Sequence, residues 1–92
     1  MSVVRVRYVV VGSVQGVGFR YAAREAAEDC GVAGWVRNLP DGTVEIVAQG
    51  SPEAVASLGA WAERGPRHAS VDRVDVSREA PETGLTRFEI RR

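Results

Sequence analysis

Gly12-Ser13-Val14-Gln15-Gly16-Val17-Gly18-Phe19-Arg20 sets glycines and an arginine between an apolar run, Val9-Val10-Val11, and the alanine-rich stretch Tyr21-Ala22-Ala23-Arg24-Glu25-Ala26-Ala27-Glu28. The run reads as a buried strand and the alanine-rich stretch as a helix. A glycine-rich loop between them leaves backbone N–H groups unpaired at the helix start, where the helix dipole also favours negative charge. Arginine at the loop's exit can clamp a phosphate through two parallel hydrogen bonds. The chemistry this pattern allows is capture of a phosphoryl group. The same glycines could serve only a tight turn into a packed helix, and the loop by itself does not separate the two.

Two nucleotide sites are excluded. A Walker A loop needs Gly-Lys-Ser/Thr at its end, and the chain reads Gly18-Phe19-Arg20. A dinucleotide fingerprint needs a glycine three residues after Gly18, where Tyr21 stands. The chain contains no lysine, so Schiff-base chemistry is also excluded.

The second stretch with chemical content is Gly34-Trp35-Val36-Arg37-Asn38-Leu39-Pro40-Asp41-Gly42. Asn38 falls near a strand end, just before a turn. Its amide could cap that turn or orient a water molecule. If Trp35 packs inward, Asn38 lies on the opposite side of the strand by parity. Other polar residues read as bland. His68 is the sole histidine and sits in a loop, Cys30 is a small core residue at a helix end, and no Ser/His/Asp arrangement is recognisable. Trp35 and Trp61 read as core. Arg5, Arg7, Arg91 and Arg92 read as solvated strand ends.

The elements that must position these residues are given by periodicity. Val4 to Gly12 is a first strand, with Val4, Val6, Tyr8 and Val10 on one face. A helix from about Gly18 to Cys30 carries the stripe Phe19, Ala22, Ala23, Ala26, Ala27 and Cys30, and Gly31 stops it. Val32 to Leu39 and Thr43 to Ala48 form an antiparallel hairpin around Pro40-Asp41-Gly42. Ser51 caps a second helix with Pro52 at its first position, and Gly65-Pro66 ends it. Gly59 inside that helix costs about 1 kcal/mol relative to alanine, which predicts a close packing contact. Val71 to Ser77 is a fourth strand with Val74 and Val76 inward. Thr86 to Arg91 is a last strand with Phe88 and Ile90 on its apolar side. The order is the ferredoxin-like, split βαβ pattern (βαββαβ plus a short C-terminal strand): a mostly antiparallel α+β sheet with two helices on one face.

The 92 residues suit one domain, 1–92. Twelve basic and twelve acidic residues cancel, which argues against a general nucleic-acid binder. No apolar run approaches the ~20 residues that span a bilayer, and the first residues lack a secretory pattern. One cysteine excludes an internal disulfide and a multi-cysteine metal site. A cytoplasmic protein is expected.

Taken together, the two stretches resemble the acylphosphatase family. Residues 12–20 match its first signature and Gly34 to Glu45 its second. Gly65-Pro66 with Ala69, Val71 and Val74 after it, and the ending Phe88-Glu89-Ile90-Arg91, are also similar, so the resemblance covers essentially the whole chain. It implies hydrolysis of the carboxyl–phosphate bond of acyl phosphates by a monomer, with no metal or cofactor and no nucleic-acid or membrane partner. It implies that Arg20 binds phosphate, that Asn38 positions the attacking water, and that the backbone amides of Gln15, Gly16, Val17, Gly18, Phe19 and Arg20 line the phosphate.

Two alternatives stand beside it. RNA-recognition motifs share the element order, but they display aromatics and a basic surface that this chain lacks. Acylphosphatase-like domains also open larger enzymes that consume carbamoyl phosphate. The span from Met1 to Arg92 favours a small complete protein, and carbamoyl phosphate remains a candidate substrate.

Overall fold

A computed structural model describes residues 2–92. The chain forms β1 (Val4–Ser13), α1 (Phe19–Cys30), β2 (Ala33–Asn38), β3 (Val44–Gly50), α2 (Pro52–Arg64), β4 (Ser70–Glu79) and β5 (Phe88–Ile90). The strands make one sheet in the order β4-β1-β3-β2-β5. β1 pairs antiparallel with β3 and β4, β2 pairs antiparallel with β3, and β5 runs parallel to β2. This is the expected ferredoxin-like α+β arrangement, with the terminal strand added beside β2.

The core lies between the sheet and both helices. Val6, Tyr8, Val10, Val36, Val44, Ile46 and Ala48 face Phe19, Ala23 and Ala27 of α1 and Val55, Leu58 and Ala62 of α2. Each fully buried Val or Leu contributes about 1.5–3 kcal/mol. The local signals hold: Ser51 Oγ accepts from the Ala54 N–H at 3.1 Å, Pro52 opens α2, and Gly31 closes α1 at φ 78°. Gly59 is the predicted close contact. A Cβ there would lie 2.6 Å from the Tyr8 hydroxyl, which donates to the Val55 carbonyl at 2.9 Å.

Expectations fail on the surfaces of the sheet at Arg5, Arg7, Trp35, Arg91 and Val76, Arg7 being half-buried against Glu45. Arg5 is no solvated strand end. It is 8% exposed, and its Nε donates to Glu79 at 2.9 Å. Trp35 is not core: it is half-buried between two guanidinium groups, Arg5 at 5.0 Å and Arg91 at 4.0 Å from its ring centroid. Arg91 is thereby anchored as well. Buried Glu45 shares this layer, accepting from Arg7 Nε and Arg37 Nε at 2.7 Å each and from Trp35 Nε1 at 3.2 Å. The cause is alternation: residues one step out of phase with the core lie on the face no helix covers, and there long side chains cover one another. Val76 shares the helix-side face with Val74 yet is 64% exposed. It borders a shallow groove of about 300 Å³ between α2 and the edge strand β4, so nothing closes over it.

Candidate active site

The site begins with a defect in the sheet. The β1–β4 register shifts between Val11 and Gly12: Val11 faces Arg73 and Gly12 faces Val71. Such a bulge bends the strand and re-aims the residues after it. Gly12 sits at φ 142°, and a Cβ there would overlap the Ser70 carbonyl, so only glycine fits. Val14, 1% exposed, then pins the departing chain into the core.

Residues 15–18 curve over the surface before α1 starts. Gly16 and Gly18 hold φ of 75° and 76°, the left-handed region that glycine tolerates. Gly18 caps α1 without a side chain to offer, and the first helical bond runs from the Ala22 N–H to the Gly18 carbonyl at 3.1 Å. The N–H groups of Phe19, Arg20 and Tyr21 therefore precede the helical ladder. No acidic residue occupies this first turn, so nothing on the helix competes for its positive end.

β2 supplies the other wall. Asn38 pairs with Val44 at the strand's end and shares parity with fully buried Val36, which puts it on the helix-side face. Asn38 and Trp35 do lie on opposite faces, although Trp35 takes the outer one. Val14, Gly16, Gly18, Phe19, Arg20, Tyr21 and Asn38 together line a cavity of about 100 Å³. The fold thus brings Arg20 and Asn38 to one small cavity at the head of α1. It is well below the ~300 Å³ at which drug-sized pockets begin.

Gln15 and Val17 lie outside that lining. Val17 packs against the core. The Gln15 carboxamide reaches across to the β2–β3 turn, where Nε2 donates to the Leu39 carbonyl at 2.8 Å and to the Thr43 carbonyl at 2.9 Å. The same turn is closed by the Leu39 N–H donating to Thr43 O at 2.9 Å and the Gly42 N–H to Leu39 O at 3.1 Å. Its side-chain cap is Asp41, which accepts from the Thr43 hydroxyl at 2.6 Å and the Thr43 N–H at 3.1 Å. These two bonds, the hydroxyl first, hold the Asp41 carboxyl below its ordinary range. Sequence reasoning missed the Gln15 bridge. The available signal was a lone two-donor side chain among small and apolar neighbours.

A larger depression of about 530 Å³ lies at the opposite end of the sheet, near Gly31, Val32, Gly50, Leu85 and Phe88. Its buried polar group, Gln49, is already tied to the Glu82 backbone by bonds of 2.7 and 2.9 Å. Among the described residues, no group of three or more His, Cys, Asp or Glu could hold a metal ion.

The family model for acylphosphatase matches residues 6–90. The chain belongs to the acylphosphatase family. An acylphosphatase of Gloeobacter violaceus is 55% identical over 91 residues, spanning 99% of this chain and 97% of that protein. One from Thermococcus kodakarensis is 52% identical over 90 residues, covering 98% of each. The crystal structure of acylphosphatase from Bacillus subtilis superposes with a TM-score of 0.92 at 37% identity, covering 97% of this chain and 99% of that one. The chain is accordingly an acylphosphatase-family hydrolase, and both signature stretches read from its sequence lie within the matched span. In this acylphosphatase fold they form facing walls: the first supplies the loop and Arg20, the second supplies Asn38.

Proposed function

We propose that this chain hydrolyses acyl phosphates to a carboxylate and inorganic phosphate without a metal ion or cofactor. Arg20 and the loop amides hold the phosphoryl group, and Asn38 orients the attacking water. The observation that carries this reading is the shared cavity: Arg20, Asn38 and the first residues of α1, whose N–H groups precede the helical ladder, line the same 100 Å³ space.

The leaving group explains why so few groups suffice. A carboxylate has a conjugate acid with a pKa of about 4, so it departs as an anion without a general acid. Water oxygen forms a new bond to phosphorus as the bond from phosphorus to the acyl oxygen breaks, and that electron pair stays on the carboxylate. One water proton remains on the new P–OH and the other passes to a phosphoryl oxygen, so the first products are the carboxylate and dihydrogen phosphate. The Asn38 amide is no base at neutral pH; it holds the water in line. The transition state is loose, with charge spread over the phosphoryl oxygens. Donors already in place at those oxygens lower the barrier, each by roughly 3–4 kcal/mol.

The proposal includes a small-molecule substrate, a monomeric chain and the cytoplasm as its compartment; a single half-buried cysteine suits a reducing environment. The deciding assay is hydrolysis of benzoyl phosphate in the presence of a chelator, with competition by inorganic phosphate. Arg20→Ala should remove activity by about 10²-fold or more while circular dichroism stays native. A folded Arg20→Ala protein with full activity would overturn the mechanism.

A further inference from the structure

The lining of the phosphoryl cavity runs from buried residues to exposed ones, and the exposed ones mark its open side. Val14 and Phe19 are buried and Arg20 and Asn38 half-buried, while Gly16, Gly18 and Tyr21 are exposed. Tyr21 is therefore the one exposed lining residue that carries a side chain. Tyr21 is 65% exposed and is not part of the hydrophobic core, so its ring is available to a ligand at the cavity. The ring stands in the first turn of α1, and one turn on the Arg24 guanidinium lies 5.9 Å from its centroid. A cation near the ring restrains it, and the residue stays mostly open to solvent.

We propose that Tyr21 is the platform for the acyl group, and that the chain prefers acyl phosphates whose carbonyl carbon bears a planar aromatic ring. The inference rests on the phosphoryl-binding reading above. With phosphate in the cavity, the acyl substituent must leave through the open side. Gly16 and Gly18 present only backbone there, so Tyr21 is the one exposed lining residue with a side chain to offer the acyl group. An aromatic acyl group is flat and conjugated with its carbonyl, and stacks on the ring. Such a pair is worth about 3- to 10-fold in affinity. An acetyl group has no ring to stack. Because the ring contact exists before and during reaction alike, it lowers KM and leaves kcat alone.

The test compares wild type, Tyr21→Ala and Tyr21→Phe, with melting curves to confirm folding. Turnover is measured on benzoyl phosphate and acetyl phosphate, and binding of phenylphosphonate and methylphosphonate by calorimetry. Tyr21→Ala should lower kcat/KM for benzoyl phosphate about 3- to 10-fold more than for acetyl phosphate, through KM, and weaken phenylphosphonate alone. Tyr21→Phe should keep the wild-type preference. An unchanged ratio in Tyr21→Ala, or a Tyr21→Phe protein as impaired as Tyr21→Ala, overturns the platform. If wild type cleaves both substrates but its preference ignores Tyr21, the platform falls and the hydrolase reading stands. If wild type cleaves neither yet binds phenylphosphonate through Tyr21, the hydrolase reading falls and the platform stands.

Discussion

The Gln15 side-chain amide donates to the Leu39 carbonyl at 2.8 Å, joining the loop at the head of α1 to the residue next after Asn38. With its second bond to Thr43 at 2.9 Å, this carboxamide sets the spacing between the two walls of the cavity. Removing it should disturb the placement of Asn38 more than the binding of phosphate. Gln15→Ala is expected to lower kcat by about tenfold and up to ~10²-fold, as small misplacements do, with the inhibition constant for inorganic phosphate changing less than about threefold. Gln15→Glu should be worse than alanine at neutral pH, because a carboxylate would face two carbonyl oxygens, and should recover partly as acid restores an O–H donor. Steady-state kinetics across pH would show this. Equal losses in kcat and phosphate affinity would mean that Gln15 merely shapes the loop.

Asn38→Ala should behave differently from Arg20→Ala. Losing the water-orienting amide is expected to cut kcat by about 10²–10³-fold and leave phosphate inhibition nearly intact, whereas Arg20→Ala should weaken both. Combining Asn38→Ala with Gln15→Ala should cost little beyond Asn38→Ala alone if Gln15 works through Asn38. Additive losses would separate the two residues.

Gly18→Ala tests the loop's backbone. A Cβ there meets no atom within 4 Å, so any effect comes from the left-handed φ of 76° and not from crowding. The strain should be about 1–2 kcal/mol, seen as a lower denaturation midpoint, together with weaker phosphate inhibition. A variant as stable and as well inhibited as wild type would show that the loop relaxes freely.

Gly59→Ala tests the packing of α2 on β1. The added methyl would press on the Tyr8 ring and hydroxyl, which has little room to move because it is bonded to the Val55 carbonyl. Overpacking of this kind costs about 1–3 kcal/mol, more than the ~1 kcal/mol gain in helix propensity. Chemical denaturation should show net destabilisation, with kcat unchanged, since the site lies elsewhere. A stabilised Gly59→Ala protein would contradict the contact.

Glu45 sets the response to acid. Burial alone would raise its carboxyl, but hydrogen bonds from Arg7, Arg37 and Trp35 outweigh burial and hold it below the ordinary value of 4.5. The unfolded chain therefore takes up this proton more readily than the folded one. The resulting stability is present above about pH 4.5 and is lost as pH falls through the lower folded value. Glu45→Gln should cost about 1–3 kcal/mol at pH 7 and should flatten the decline of melting temperature below about pH 4.5. An acid profile identical to wild type would assign the decline to other carboxylates.

What the sequence made legible was what depends on neighbours along the chain. The Ser51-Pro52 start of α2, the Gly31 stop of α1 and the alternation of β1 are local signals, and all appear as read. Parity correctly separated Asn38 from Trp35, yet it could not say which face the helices would cover. That depends on the handedness with which α1 and α2 return to the sheet. Arg5, Trp35 and Arg91 were misread for this reason: each is tied to partners on other strands or in the terminal segment, such as Glu79 and Glu82 for Arg5. The Gln15 bridge spans 24 and 28 residues, and its acceptors are carbonyls, which any residue type supplies. The lone carboxamide was visible as a donor in the loop, but no side-chain pattern reports which carbonyls it meets. Val76 obeys the same logic, because alternation assigns it a face but not a cover.

The sheet's two borders are unequal: β5 has three residues, whereas β4 has ten, Ser70–Glu79. A long bare border is where an unrelated chain could add itself by backbone bonding. Asp72, Arg73, Asp75, Arg78 and Glu79 load that border with charges of both signs, and most of the strand is exposed. Any incoming strand would have to strip or match those charges before gaining its backbone bonds. The valine left bare at position 76 is thereby guarded on both sides along the strand, and a chain rich in β-branched residues has its most aggregation-prone border fenced by its own gatekeepers.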